Sequence, residues 1–262
     1  MDMHMMKMSR VATEMHAREA LEKAKAVQPK LNGMVTFCEV DEQLENLKNI
    51  DTNAKLYGMP IVLKDNINTK GVLTTASSNI LGNYIAVYNA NIFDKLQAAG
   101  EIVIGKSSMD ELAMGGTNLS AATGPVYNPY DLNRISGGSS GGSAVMVASG
   151  VVPFAIGSDT GDSVRKPASY NNIIGVKPTY GRISRYGVIP YASSLDHVGF
   201  FTTCIKDACR MLEVCSGRDD KDMTCSYKEV KEPANEEKEN VNPEETTEEV
   251  KQNGEETVEN HK

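Results

Sequence analysis

Three short segments hold most of the side chains able to do chemistry. They are Gly58–Asn66, which contains Lys64; Ser136–Ala144, which contains four serines; and Gly157–Pro167, which runs Gly-Ser-Asp-Thr-Gly-Asp-Ser-Val-Arg-Lys-Pro. A serine hydroxyl is a weak nucleophile and needs a neighbouring base to take its proton. No histidine is suitably placed for that task. Only His197 and His261 follow the serine-rich segments, and His197 directly follows Asp196, a pair that reads as loop structure. A lysine must then serve. A free lysine, with a pKa of about 10.4, is protonated at neutral pH. Burial can lower that value by up to about 3–5 pH units. The apolar run Ile61-Val62-Leu63 leads straight into Lys64 and supplies a dry setting for it.

Two other matches to known patterns lack the context they need. Gly100–Ser107 fits the phosphate-binding pattern G-x-x-x-x-G-K-[ST]. That loop needs a strand before its first glycine and a flexible stretch between the two. Here the intervening Glu-Ile-Val-Ile is itself the strand. Gly138-Ser139-Ser140-Gly141-Gly142 fits the nucleophile elbow G-x-S-x-G. An elbow needs a buried strand ahead of it and a histidine after it. Polar turn material, Asn128–Ser136, precedes this one.

The elements that must carry these segments alternate in type. Val11–Val27 spaces Val11, Met15, Ala20, Leu21, Ala24 and Val27 as an amphipathic helix. Strands are expected at Pro60–Leu63, Glu101–Ile104, Pro153–Ile156 and Ile173–Val176. Helices are expected at Asn91–Ala99, with Gly100 as its C-cap, at Gly141–Ser149 and at Ile205–Val214. This alternation indicates an α/β fold with parallel neighbours. Fifteen of the 22 glycines lie between Gly100 and Gly187. Glycine permits close backbone approach at an entropic cost, so a site built from backbone is expected in that stretch.

Charge and composition divide the 262 residues unevenly. The net charge is −8. The last 35 residues, Lys228–Lys262, hold 12 Glu against 5 Lys, a net −7, which leaves the rest at −1. The tail has no aromatic, Leu, Ile or Met. Such a segment buries too little surface to offset its ordering entropy. The expected domains are therefore a body at 1–225 and a disordered acidic tail at 226–262, which would repel nucleic acid. No run of about 18 apolar residues is present to span a membrane as a helix. Met1–Arg10 has no apolar signal core. Five cysteines without a C-x-x-C pair argue against a disulfide framework or a zinc site, and they fit a reducing cytosol.

Taken together, the three segments resemble the amidase-signature family. Lys106–Gly115, Gly175–Gly187 and Ala192–His197 extend the resemblance, which covers roughly Met34 to Gly217. The runs Lys-Pro-Thr-Tyr-Gly-Arg-Ile-Ser-Arg and Ala-Ser-Ser-Leu-Asp are most like the A subunits of glutamyl-tRNA(Gln) amidotransferases. The resemblance implies a mixed, largely parallel sheet flanked by helices. It also implies a Ser–Ser–Lys triad, which carries over as Lys64, Ser139 and Ser163. In that family the first relay serine, here Ser139, follows a cis peptide. Ser163 would be the nucleophile, and the backbone amides of Thr160, Gly161, Asp162 and Ser163 would form the oxyanion hole.

Two departures stand out. The family has Gly-Gly-Ser where this chain has Gly161-Asp162-Ser163, so a carboxylate sits beside the developing oxyanion unless it points outward; Arg165 or Lys166 could neutralise it. Family members are also about twice this long. The sheet is thus expected to be incomplete, with an open edge inviting a partner or aggregation.

The resemblance implies ammonia release from glutamine for the conversion of Glu-tRNA(Gln) to Gln-tRNA(Gln). It implies B and C subunits as partners, ATP and magnesium on the partner rather than on this chain, tRNA met only through the complex, and a cytoplasmic or organellar-matrix location. The alternatives are a stand-alone small-amide hydrolase and a catalytically silent, truncated binding module.

Overall fold

The computed structural model describes residues 10–230. Residues 231–262, most of the segment read as a disordered tail, lie outside the described residues. The segment's first residues are described, and Arg182 donates hydrogen bonds to Lys228 O and Glu229 O.

Six strands form one mixed sheet: β1 (Met34–Phe37), β2 (Pro60–Lys64), β3 (Ile102–Ser107), β4 (Phe154–Asp159), β5 (Ile174–Val176) and β6 (His197–Thr202). Their order is β1-β3-β2-β4-β6-β5. The expected mixed α/β sheet is present. Its parallel part is the centre, where β2 pairs with β3 and β4; the three outer pairings are antiparallel.

Alternating strand residues feed two cores, as a period of two requires. Val62, Ile104, Ala155 and Phe201 face one side. There they meet α1 (Arg10–Leu31) through Ala17, Leu21 and Ala24, and α4 (Gly141–Ala148) through Ala144 and Val147. Ile61, Leu63, Val103, Ile156 and Phe200 face the other. There they meet α3 (Asn91–Ala98) through Ile92 and Leu96, and α6 (Ile205–Cys215) through Ala208 and Met211. The result is helix, sheet and helix in three layers. On the first helix, Ala20, Leu21 and Ala24 of the expected apolar face are buried and Val27 is half-buried, whereas Met15 is exposed and Ala17 joins the buried face. Gly100 follows α3 with φ +85°, the left-handed turn that ends the helix.

Two further α-helices are short: α2 (Asp41–Asn46) and α5 (Arg165–Tyr170). Parallel strands bring their carboxyl ends to one edge, where open α/β sheets place their ligand sites. Lys64 is the last residue of β2 and Asp159 the last of β4. No described helix is long and apolar enough to cross a membrane.

Candidate active site

The sheet presents Lys64 at this edge with no solvent exposure. Its Nζ lies 2.7 Å from Ser139 Oγ, 2.9 Å from Ser158 Oγ and 3.3 Å from Ser158 O. Burial lowers the Lys64 pKa to about 7, against the carboxylates of Asp110, Asp159 and Asp196, which pull it upward. At neutral pH a large fraction of this amine is uncharged.

Ser139 sits in the loop ahead of α4, and its peptide bond with Gly138 is cis. The loop is pinned from several sides. Asp110 N donates to Ser139 O, and Gly141 N donates to Asn118 Oδ1. Asp110 Oδ2 in turn accepts from Asn118 N. A side chain at position 138 would place its Cβ 2.1 Å from Asp110 Oδ2, so only glycine fits there. Gly137, with φ +73°, turns the chain into this approach.

Ser163 lies in the turn between β4 and α5 and is buried. Ser140 N donates to Ser163 O at 3.2 Å, which fixes the turn against the Ser139 loop. Among the described residues, the Ser163 hydroxyl has no hydrogen bond to Ser139 Oγ. The structure thus joins Lys64 to Ser139 directly and brings Ser163 alongside through the backbone.

The turn is closed by Asp159. Its carboxylate accepts from Val164 N (2.9 Å), Arg165 N (3.3 Å) and the Arg165 guanidinium (3.1 and 3.3 Å). Burial opposes charge on Asp159, yet the bonds from Arg165 and Val164 N hold its pKa below the usual carboxylate range. Within the turn, the amides of Gly161, Asp162 and Ser163 donate to no protein acceptor among the described residues. A Cβ on Gly161 would meet nothing within 4 Å. Unpaired backbone donors of this kind, with open space at Gly161, can receive an anion.

The Asp162 side chain is engaged by a neighbouring cation. Its carboxylate pairs with Lys166 Nζ at 2.6 Å, and its φ is not in the left-handed region. Of the two candidate neutralising cations, Lys166 takes the role, and Arg165 is held by Asp159.

Sequence reasoning missed Ser158, Asn66, Asp159 and Asp196 as contributors. Ser158 Oγ accepts from Asn66 Nδ2 at 3.0 Å while meeting Lys64. Asn66 lies two residues beyond Lys64, and Ser158 lies in the same Gly-Ser-Asp-Thr run as the turn, so position was the available signal. Two matches set aside from sequence are structural. Ser140 Oγ donates to Ser158 O at 3.0 Å and is fully buried. Lys106 is also fully buried, its pKa lowered to about 8 by burial, and donates to Ile67 O and Thr74 Oγ1.

Beside Ser158 and Thr160 opens a cavity of about 350 Å³, lined also by Asn66, Arg185, Tyr191 and Asp196. Among the described residues, no group of three or more His, Cys, Asp or Glu could hold a metal ion.

The chain is similar to known proteins in sequence and fold. Residues 16–250 match the Amidase family model. The A subunit of the Lactobacillus delbrueckii glutamyl-tRNA(Gln) amidotransferase is 47% identical over 225 residues, 86% of this chain and 46% of that protein. Its counterpart from Koribacter versatilis is 48% identical over 215 residues, 79% of this chain and 45% of that protein. The chain thus spans about half the length of the curated relatives it matches. The crystal structure of the A subunit from Thermotoga maritima superposes with a TM-score of 0.79 at 42% identity, covering 85% of this chain and 48% of that one. Kluyveromyces lactis allophanate hydrolase superposes with a TM-score of 0.78 at 33% identity, covering 84% and 36%.

Proposed function

We propose, from the premise that this chain belongs to the amidase family, that it carries a serine amidase centre with Ser163 as nucleophile. Lys64 is the base and Ser139 the relay. The observation that carries the reading is the fully buried 2.7 Å contact between Lys64 Nζ and Ser139 Oγ, one strand end away from the Ser163 turn.

The chemistry follows from hydrogen-bond accounting. A neutral amine has two protons and one lone pair. With the protons directed at Ser158 O and Ser158 Oγ, the lone pair accepts from the Ser139 hydroxyl. Ser139 oxygen is then free to take the Ser163 proton once that hydroxyl rotates onto it; such contacts often tighten only with substrate bound. Ser163 Oγ attacks the carboxamide carbon, its proton passing to Ser139 and the Ser139 proton to Lys64. The carbonyl oxygen becomes an oxyanion received by the amides of residues 160–163. The C–N bond breaks, and the departing nitrogen takes a proton back through Ser139. Water then attacks the ester, yielding carboxylate and regenerating Ser163. The balance is amide plus water to acid plus ammonia.

The curated relatives favour glutamine as the amide. In that setting the ammonia goes to a partner that uses ATP and magnesium on Glu-tRNA(Gln), with B and C subunits completing the complex. A tRNA-linked reaction belongs where translation occurs, in the cytoplasm or an organellar matrix. The likeness to allophanate hydrolase supports a second reading, hydrolysis of a small amide without partners. Ammonia release from glutamine and from a panel of small amides, without tRNA, separates the two. Turnover of glutamine that Ser163→Ala abolishes supports the first. Turnover of small amides alone supports the second. No turnover of any amide contradicts both.

A further inference from the structure

Asp196 lies outside the three residues assigned to the chemistry, yet it holds the turn that carries the nucleophile. It is buried in the loop before β6. Its Oδ2 accepts from Tyr191 N at 2.9 Å and Ala192 N at 3.1 Å, and its Oδ1 from Ala192 N at 3.2 Å. Leu195 N and Asp196 N both donate to Ala192 O, so the loop is wound tightly around its own carboxylate. Tyr180 Oη and Arg185 Nη1 donate to Ser193 O from outside the loop, and one further contact ties the carboxylate itself to the Ser163 turn. Thr160 Oγ1 donates to Asp196 Oδ1 at 2.5 Å, across 36 residues.

Thr160 is the first residue of the Ser163 turn. The far end of that turn is held by Asp159 through Val164 N. Each end of the four-residue turn is therefore tied to a carboxylate, while the amides between them keep no protein acceptor among the described residues. Donors aimed in advance at an oxyanion work because they need no reorganisation when the charge appears. Holding the ends and the carbonyls of the turn, through Arg165 to Gly161 O, Lys166 N to Asp162 O and Ser140 N to Ser163 O, while leaving its amides unpaired is one way to build such a set. Thr160, Tyr191, Ser193 and Asp196 also line the same cavity, so the bond joins the catalytic turn to the cavity wall.

We propose that Asp196 is a positioning residue that, through the Thr160 hydroxyl, fixes the Ser163 turn and couples it to the cavity wall. The inference rests on the reading of Ser163 as nucleophile. Asp196 has a second effect that a purely structural residue would lack. Its charge, with those of Asp110 after β3 and Asp159 at the end of β4, favours the protonated form of Lys64. Asp159 is itself paired with Arg165. The neighbouring Asp65 is engaged by Thr75 and Ser77.

Two variants of the full chain separate the roles. Thr160→Val removes the bond and leaves every charge in place. Asp196→Asn removes the charge as well. The readout is the rate of Ser163 phosphonylation by a fluorophosphonate as a function of pH, which requires no amide substrate. Thr160→Val is expected to lower the plateau rate about tenfold, less than the 10²–10³ for deleting an oxyanion donor, with the acid limb unmoved. Asp196→Asn is expected to lower the plateau and also move the acid limb to lower pH. A wild-type plateau in Thr160→Val, or an unmoved limb in Asp196→Asn, overturns the proposal. If Asp196→Asn does not fold, Thr160→Val alone decides. If the wild-type chain is not labelled at Ser163, the reading of the nucleophile fails separately. Hydrogen exchange at the amides of residues 161–163 then decides the positioning role: faster exchange in Thr160→Val supports it, and unchanged exchange contradicts it.

Discussion

Lys64 and Ser139 touch at 2.7 Å with no solvent exposure on either residue, although 75 residues separate them in the chain. Strand β2 delivers the amine, and the loop ahead of α4 delivers the hydroxyl. The dryness of the contact suits the amine to the proposed role of base, since burial lowers its pKa to about 7.

Lys64→Met tests this on two axes. Amide turnover falls by about 10²–10⁴-fold, the usual contribution of a positioned base. Stability responds in the opposite sense. The unfolded lysine titrates near 10.5 and the folded one near 7. Between those values the unfolded chain holds a proton that the folded chain lacks. Wild-type stability therefore falls as pH falls from about 10.5 to about 7 and is flat below, a cost of roughly 4–5 kcal/mol from this group. Unfolding midpoints of the two chains across that range show the variant without this slope. Parallel slopes would mean that Lys64 keeps its proton in the fold.

Asp162→Gly keeps amide turnover and costs little stability. The Asp162–Lys166 pair is 45% and 30% exposed at its side chains, and a pair of that kind contributes about 0–1 kcal/mol. Glycine adds a further entropic cost of about 0.5–1 kcal/mol. The expected loss is no more than about 2 kcal/mol by denaturant titration. Loss of turnover together with a larger destabilisation would show that the carboxylate supports the turn.

Glu101→Gln stabilises the chain at alkaline pH. Glu101 is buried at the head of β3, where burial raises its pKa from 4.5 to about 8, and its Oε2 has no hydrogen-bond partner among the described residues. Between pH 4.5 and 8 the folded chain holds a proton that the unfolded chain has released, so wild-type stability falls as pH rises through that window. The amide cannot ionise and escapes the loss. Equal midpoints are expected at about pH 4, with the variant ahead by roughly 4–5 kcal/mol at about pH 9. Equal midpoints at the alkaline end would mean that Glu101 finds a partner when charged.

Much of the fold was legible because apolar runs mark buried strands. Ile61-Val62-Leu63 and the run at Pro153–Ile156 read directly as strands, and the structure places both at the sheet centre. The strand β6 did not, because Asp196-His197 at its head reads as loop and Gly199 interrupts its apolar run. The short helix α5 was hidden by Pro167. Proline is tolerated there because the first turn of a helix leaves its amides without intrahelical partners. In the site, Lys64, Ser139 and Ser163 carried a family pattern. Ser158 and Asp196 act through contacts across 94 and 36 residues, and such pairings arise only when β2, β4 and β6 align.

Ser163, and no other serine, is the nucleophile in the mechanism proposed above, and every other role depends on that assignment. The most direct measurement is reaction of the full chain with a fluorophosphonate, followed by peptide mapping of the modified residue. A single adduct on Ser163, absent from Lys64→Met at neutral pH, is the expected result. An adduct on Ser140, or none in the wild-type chain, would contradict it.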